Sequence, residues 1–222
     1  MNAVETPAHP LADASRSLVY AAFTAALSHP DHEGMDAIRS GVLAGALRQL
    51  LGAVDPALLV GVDWEALQDC GAHDEFLPVE FTRLFVAGEN GPCCSLEGRC
   101  YGSAGMEATE ELVRFYDFFG LSLSEGQREE PDHLLTELEF LHYLAYQEAG
   151  LASAGESTEG VLRAQHDFIA RHPGAWIPVL HSRLMVHGAP RFYIELVRLL
   201  ERFLRAEEAR LAGQIKPSPA IH

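Results

Sequence analysis

No stretch of the sequence approaches the roughly 20 consecutive apolar residues that a membrane span needs. Basic residues are scarce: Lys and Arg total 16 against 32 Asp and Glu, a formal charge of −16 at pH 7 over 222 residues. Phosphate backbones are held by Lys and Arg, so this balance argues against nucleic acid as a partner and equally against an anionic membrane surface. Residues 1–14 carry no basic region followed by an apolar stretch, so the chain reads as having no secretory signal and as cytoplasmic. Cysteine is sparse. Cys70, Cys93, Cys94 and Cys100 then read as thiols rather than a disulfide framework.

The signatures of catalysis are missing too. There is no Gly-x-Ser-x-Gly elbow, no Walker loop with its Lys and no Gly-x-Gly-x-x-Gly turn. Cys93-Cys94…Cys100 lacks the paired Cys-x-x-Cys spacing of structural zinc sites, and no His lies near it in sequence. His133 and Glu137 share a helix face at i, i+4, but the His-Glu-x-x-His pattern of zinc proteases is absent. The reading is a non-enzyme that needs no metal and no cofactor of its own. A small metal- or thiol-dependent enzyme built on Cys93, Cys94, Cys100 and His133 is the remote alternative.

Hydrophobic residues make up 48% of the chain, enough for a full core. Nothing alternates with period two over a useful length, and no repeat is present. Apolar residues recur instead at helical spacing, which predicts an all-α fold: one globular domain of about eight to ten helices. Helices are expected from about Ser15 to Ser28 and from Met35 to Leu51, the first with Leu18, Ala22, Phe23, Ala26 and Leu27 inward, the second with Val42, Leu43, Ala46 and Leu47 among its inward residues. Others run from Asp74 or Glu75 to Val86, from Met106 to Phe119, from Thr158 to Ile169 and from Trp176 to Val186. The last runs from Pro190 to about Leu211. Residues 1–14 form an arm, 15–212 the domain and 213–222 a frayed tail. Two irregular stretches stand out, a small-residue linker at 150–158 and a loop at 88–105. The loop holds five glycines in eighteen residues and no regular helix can run through it. A loop this long in a compact domain is usually functional.

The chain is organised around the segment from Glu129 to Gln147. Leu134, Leu138, Leu141 and Ala145 form one stripe, widened by Leu135, Phe140 and Leu144, so this helix is central and packed on several sides. At its start sits the cluster Pro131-Asp132-His133. Capping explains Asp132 well, either with Asp132 as the cap or with Glu130 capping and Pro131 at the first helical position. A neutral His133 suits hydrogen bonding at the positive end of a helix. On these grounds alone capping stands ahead of binding.

Glu130-Pro131-Asp132-His133-Leu134 followed by Glu137-Leu138-x-Phe140 resembles the signature of the TorD/DmsD/NarJ-type redox-enzyme maturation chaperones. Other segments agree in order: Phe81-Thr82-Arg83-Leu84-Phe85-Val86, Gly91-Pro92-Cys93-Cys94-Ser95 with Tyr101-Gly102, Phe115-Tyr116 with Phe119-Gly120-Leu121, Phe168…His172…Trp176, and Pro190-x-Phe192-Tyr193. The resemblance covers roughly residues 15–210 and is nearest to the branch serving type II enzymes of the dimethyl sulfoxide reductase family. It implies an all-helical, non-catalytic protein that holds the unfinished catalytic subunit of a molybdopterin-dependent enzyme, often by its twin-arginine signal peptide, until assembly is complete. An acidic surface with an apolar groove suits such a basic, apolar peptide. Carried over to this chain, the implied binding residues are Phe81, Leu84, Phe85, Pro92, Pro131, Asp132 and His133. Asp132 would receive an arginine or a backbone group and His133 would fix the register. The implied state is a monomer, with a helix-exchanged dimer as the alternative. A constitutive subunit of a helical complex, with Asp132 a mere cap, is the competing reading.

Overall fold

The structure, a computed structural model, describes residues 10–89, 91–102, 105–121 and 130–215. Among the described residues nine α-helices follow one another: α1 Pro10–Leu27, α2 His32–Arg39, α3 Val42–Val54, α4 Phe76–Phe81, α5 Gly105–Phe118, α6 Leu134–Ala154, α7 Glu159–Arg171, α8 Pro173–Val186 and α9 Arg191–Gln214. Among the described residues there is no strand, only isolated bridges. No described helix is long and apolar enough to cross a membrane. Most of the expected arm, residues 122–129 and most of the tail lie outside the described residues; within them α1 begins at Pro10 and α9 extends to Gln214, past both expected boundaries.

Helix α6 is the centre, as its breadth of apolar residues predicts. It packs along α1, which in turn packs on α3, while α9 lies against α7 and α8. Leu134, Leu138, Phe140, Leu141, Leu144 and Ala145 are all buried. The two halves meet through aromatic contacts: Tyr20 and Phe23 of α1 lie 5.0 and 6.1 Å from the Phe203 ring of α9. A polar network crosses the same interface. Arg210 bridges Glu148 and Glu207, each at 2.8 Å, Arg16 reaches Glu207 at 3.1 Å, and Gln165 donates to Glu148 at 2.7 Å. Four helices are thereby held in one register.

Several boundaries differ from expectation for local reasons. The second expected helix is two, because Gly41 takes a left-handed conformation (φ +76°) and restarts the helix. That break resets the phase, so Ala44, Leu47 and Leu51 turn inward while Val42 and Ala46 face solvent. Leu18 is also exposed, its place in α1 taken by Val19 and Tyr20. The small-residue linker is shorter than expected: α6 runs on to Ala154 and ends at Gly155, whose left-handed backbone closes the C-terminus. Thr158 stands at the start of α7 without a side-chain capping bond. Helix α8 starts three residues early, with Pro173 in its first turn, and Pro190 lies just outside α9 rather than in its first turn.

Candidate functional site

The expected helix to Val86 changes character midway. After α4 the chain widens into a π-turn over Thr82–Val86, closed by the Ala87 amide on the Thr82 carbonyl at 2.9 Å. Such widened turns are costly and occur often at functional sites. Phe81, Leu84 and Phe85 all point inward from it and are buried, with Phe81 and Phe85 packed edge-on against each other and Phe85 edge-on against Tyr193. These three expected binding residues therefore form the floor of the surface rather than the surface itself. What faces solvent is Val79, Thr82, Arg83 and Val86. A groove of about 540 Å³ runs here, lined by His29, Glu75, Pro78, Val79, Thr82 and Arg83.

The glycine-rich loop then folds back on the protein. Gly88 turns so tightly that an added Cβ would sit 2.2 Å from the Gly91 carbonyl oxygen. Half-buried Pro92 follows, and the Cys94 amide donates to the Leu84 carbonyl at 2.9 Å. All four cysteines are free. Burial and the neighbouring Cys93 push the Cys94 thiol up to about 12, so it stays protonated and unreactive at neutral pH. Among the described residues no three His, Cys, Asp or Glu side chains are arranged to hold a metal ion.

Residues 95–101 form a strap across the start of α6. The Leu134 amide donates to the Leu96 carbonyl at 2.7 Å, and the Gly98 amide to the Asp132 carbonyl at 2.8 Å, a short antiparallel pairing. Asp132 is 2% exposed, and both its carboxylate oxygens are engaged by Arg99: Oδ1 by the guanidinium and Oδ2 by the backbone amide, each at 2.9 Å. Asp132 thus caps no helix; it anchors the strap. The N-cap of α6 is His133, whose Nδ1 accepts from the Leu135 amide at 3.3 Å, and α6 begins at Leu134. The structure brings Pro131, Asp132 and His133 together with the strap. Phe81, Leu84, Phe85 and Pro92 belong to the preceding π-turn and loop, which the Cys94–Leu84 bond holds beside it.

Sequence reasoning missed the group beneath the strap. Glu137 is 1% exposed, and its Oε2 accepts from the Trp176 indole N–H at 3.2 Å. Burial, reinforced by Asp132, holds its carboxyl well above the ordinary carboxylate range. The sequence did carry a signal, since position 137 lies three residues after Leu134 and four before Leu141, on the buried stripe itself. Trp176 stacks on Tyr101 at 5.1 Å and 14°, Tyr101 donates to the Ser95 carbonyl at 2.6 Å, and Arg183 lies 4.3 Å over the Tyr101 ring. Nearby His172 is also buried, which pushes its imidazole down to about 4 and keeps it neutral. The arrangement joins two carboxyls, an imidazole and two aromatic faces under one loop.

Fold and site together define an all-helical domain, in which a strap from the glycine-rich loop closes over the start of a buried central helix. The chain belongs to the nitrate reductase delta subunit family, which matches residues 43–182. It is 35% identical over 181 residues to the selenate reductase assembly chaperone protein of Thauera selenatis, covering 81% of this chain and 92% of that one. It is 35% identical to the chlorate reductase assembly chaperone protein of Ideonella dechloratans, over 70% and 83% of the two chains. With the perchlorate reductase assembly chaperone protein of Dechloromonas aromatica it shares 28% over 86% and 88%.

Proposed function

We propose that this protein is a system-specific assembly chaperone for a molybdenum oxidoreductase. It binds the apo catalytic subunit and its twin-arginine signal peptide in the cytoplasm, and holds them until the cofactor and partner subunits are in place. The observation that carries this reading is the identity to assembly chaperones of selenate and chlorate reductases over most of both chains. The charge supports it, because a formal −16 attracts a basic peptide and repels nucleic acid. The groove beside Val79, Thr82 and Arg83 suits the apolar stretch of such a peptide, with Phe81, Leu84 and Phe85 as its buried support and Pro92 in the loop that follows. Pro131, Asp132 and His133 contribute by fixing the strap against α6 rather than by offering free side chains. The protein works without a catalytic step of its own.

The test is capture of partners by the tagged protein from its own host, with mass spectrometry of the eluate, beside a Val79→Asp/Val86→Asp variant. Both positions are exposed, so the fold should survive. One molybdoenzyme catalytic subunit should dominate the wild-type eluate and fade with the variant. If no such subunit appears although the host expresses one, the chaperone reading is wrong. If it persists with the variant, the client contacts another face.

A further inference from the structure

Beneath the strap lies a cavity of about 150 Å³, with Gly98, Leu112, Glu137, His172, Ala175 and Trp176 in its lining. It reaches solvent beside Arg99 and Arg171, whose side chains are 38% and 51% exposed. Inside, the His172 Nε2 atom is fully buried and, among the described residues, has no hydrogen-bond partner. Gly98 forms the roof: a Cβ there would lie 3.0 Å from the Trp176 indole nitrogen and 3.5 Å from Glu137 Oε1, so any side chain would fill the space. A cavity of this size admits the tip of one side chain and no backbone.

Its charge selects the occupant. Arg99 is held by Glu97 and Asp132, each at 2.9 Å, with Glu130 at 3.9 Å, and Arg171 is held by Glu111 and Asp167. Five carboxylates therefore pair with these two guanidiniums, before Glu137 is counted. An anion is disfavoured there. A guanidinium meets a matching carboxyl in Glu137, a neutral imidazole acceptor in His172 and the aromatic ring of Trp176. The Tyr101 ring already carries the Arg183 guanidinium, so this stack accepts that group. Asp132, the carboxylate expected to take a client's arginine, is fully engaged by Arg99.

We infer that this cavity receives the guanidinium of one arginine of the client, with Glu137 as its carboxylate partner. The inference rests on the chaperone reading for the identity of the client, but the cavity's preference for a guanidinium is testable without one. The groups facing Glu137 are Asp132 and Arg99 at the strap, Tyr116 from α5, Arg171 from α7, and His172 and Trp176 at the start of α8. Burial raises the Glu137 carboxyl above its ordinary range and so favours its protonated form before docking. When a guanidinium enters, its charge offsets that desolvation, the Glu137 O–H bond breaks and the proton leaves to the buffer. Docking is therefore coupled to proton release.

The probe is N-acetyl-L-arginine amide, with the citrulline amide as its uncharged isostere, titrated into the full chain in two buffers of different ionisation enthalpy. The arginine amide should bind with proton release and shift the Trp176 indole N–H resonance, and the citrulline amide should not. Glu137→Gln keeps an acceptor for Trp176 and should weaken arginine binding about tenfold or more. Ala175→Leu, at an exposed position on the cavity lining, should do the same by filling the space with the fold intact. Absence of binding to the wild type, binding without proton release, or equal binding to Glu137→Gln would each overturn the inference. Client capture separates it from the chaperone reading. A client that binds wild type and Glu137→Gln equally leaves the chaperone and removes the pocket; a wild type that captures no client removes the chaperone, while the arginine titration still judges the pocket.

Discussion

Glu137 and His172 face one cavity and are perturbed in opposite directions, each by burial that disfavours its charged form. The carboxyl is raised above its ordinary 4.5, so above that pH the unfolded chain releases a proton that the folded chain keeps. Stability from this group is full below 4.5 and falls as pH rises toward the folded value, by at most about 1.4 kcal/mol per pH unit. The imidazole is lowered from 6.5 to about 4, so its contribution is present above 6.5 and is lost as pH falls toward 4. Between 4.5 and 6.5 the two trends oppose each other. Melting temperatures across that window should therefore separate the single variants. Glu137→Gln should become less stable toward acid and gain on wild type toward neutrality. His172→Phe, which keeps ring contacts with Phe115 and Phe168, should instead lose stability toward neutrality. A pH-independent gap between Glu137→Gln and wild type would mean that Glu137 is ionised in the folded protein. Asp132 makes a different prediction. As a cap its loss would cost about 1 kcal/mol. As the anchor of Arg99 its replacement by Ala should cost about 1.5–3 kcal/mol in urea denaturation, nearer the lower end because Arg99 is partly exposed.

At the scale of elements, the central helix carries the domain because one stripe of leucines meets α1 while the opposite side meets α7. Leu138 is fully buried there, and Leu138→Ala should cost about 2–5 kcal/mol in chemical denaturation. Gly41 tests the break between α2 and α3: Ala at φ +76°, with the Gln68 side-chain oxygen 2.9 Å from its Cβ, should destabilise by roughly 1–2 kcal/mol rather than fuse the two helices. An unchanged midpoint would show that the break is not needed. These two residues also mark what the sequence could tell. Leu138 was legible because it repeats with Leu134 and Leu141 at helical spacing, and the same rule located α5, α7 and α9. Gly41 was not, because a glycine inside an apolar pattern is silent until its backbone angle is known. The site divides in the same way. Pro131, Asp132 and His133 were visible as a polar cluster at a helix start, but Arg99 lies 33 residues away from Asp132, and only the folded strap reveals their pairing. Glu137 entered as the i, i+4 neighbour of His133 and within the signature, and its burial against Trp176, 39 residues away, shows only in the fold.

On the whole molecule, acidity and apolarity are arranged to do different things. The formal −16 acts at a distance, raising the encounter rate with a basic segment, and salt screens it over a Debye length of about 8 Å at physiological ionic strength. On the proposed reading, the groove beside the π-turn and the cavity under the strap act only on contact, where water is displaced and salt penetrates little. Association with a client peptide should therefore slow steeply as ionic strength rises, while dissociation changes far less. Surface-plasmon kinetics with a peptide carrying the client's basic and apolar segments would resolve the two. A steep salt dependence of the association rate alone is the expected result. If dissociation carries the dependence instead, exposed ion pairs hold the complex, and neither the groove nor the cavity is where the client is bound.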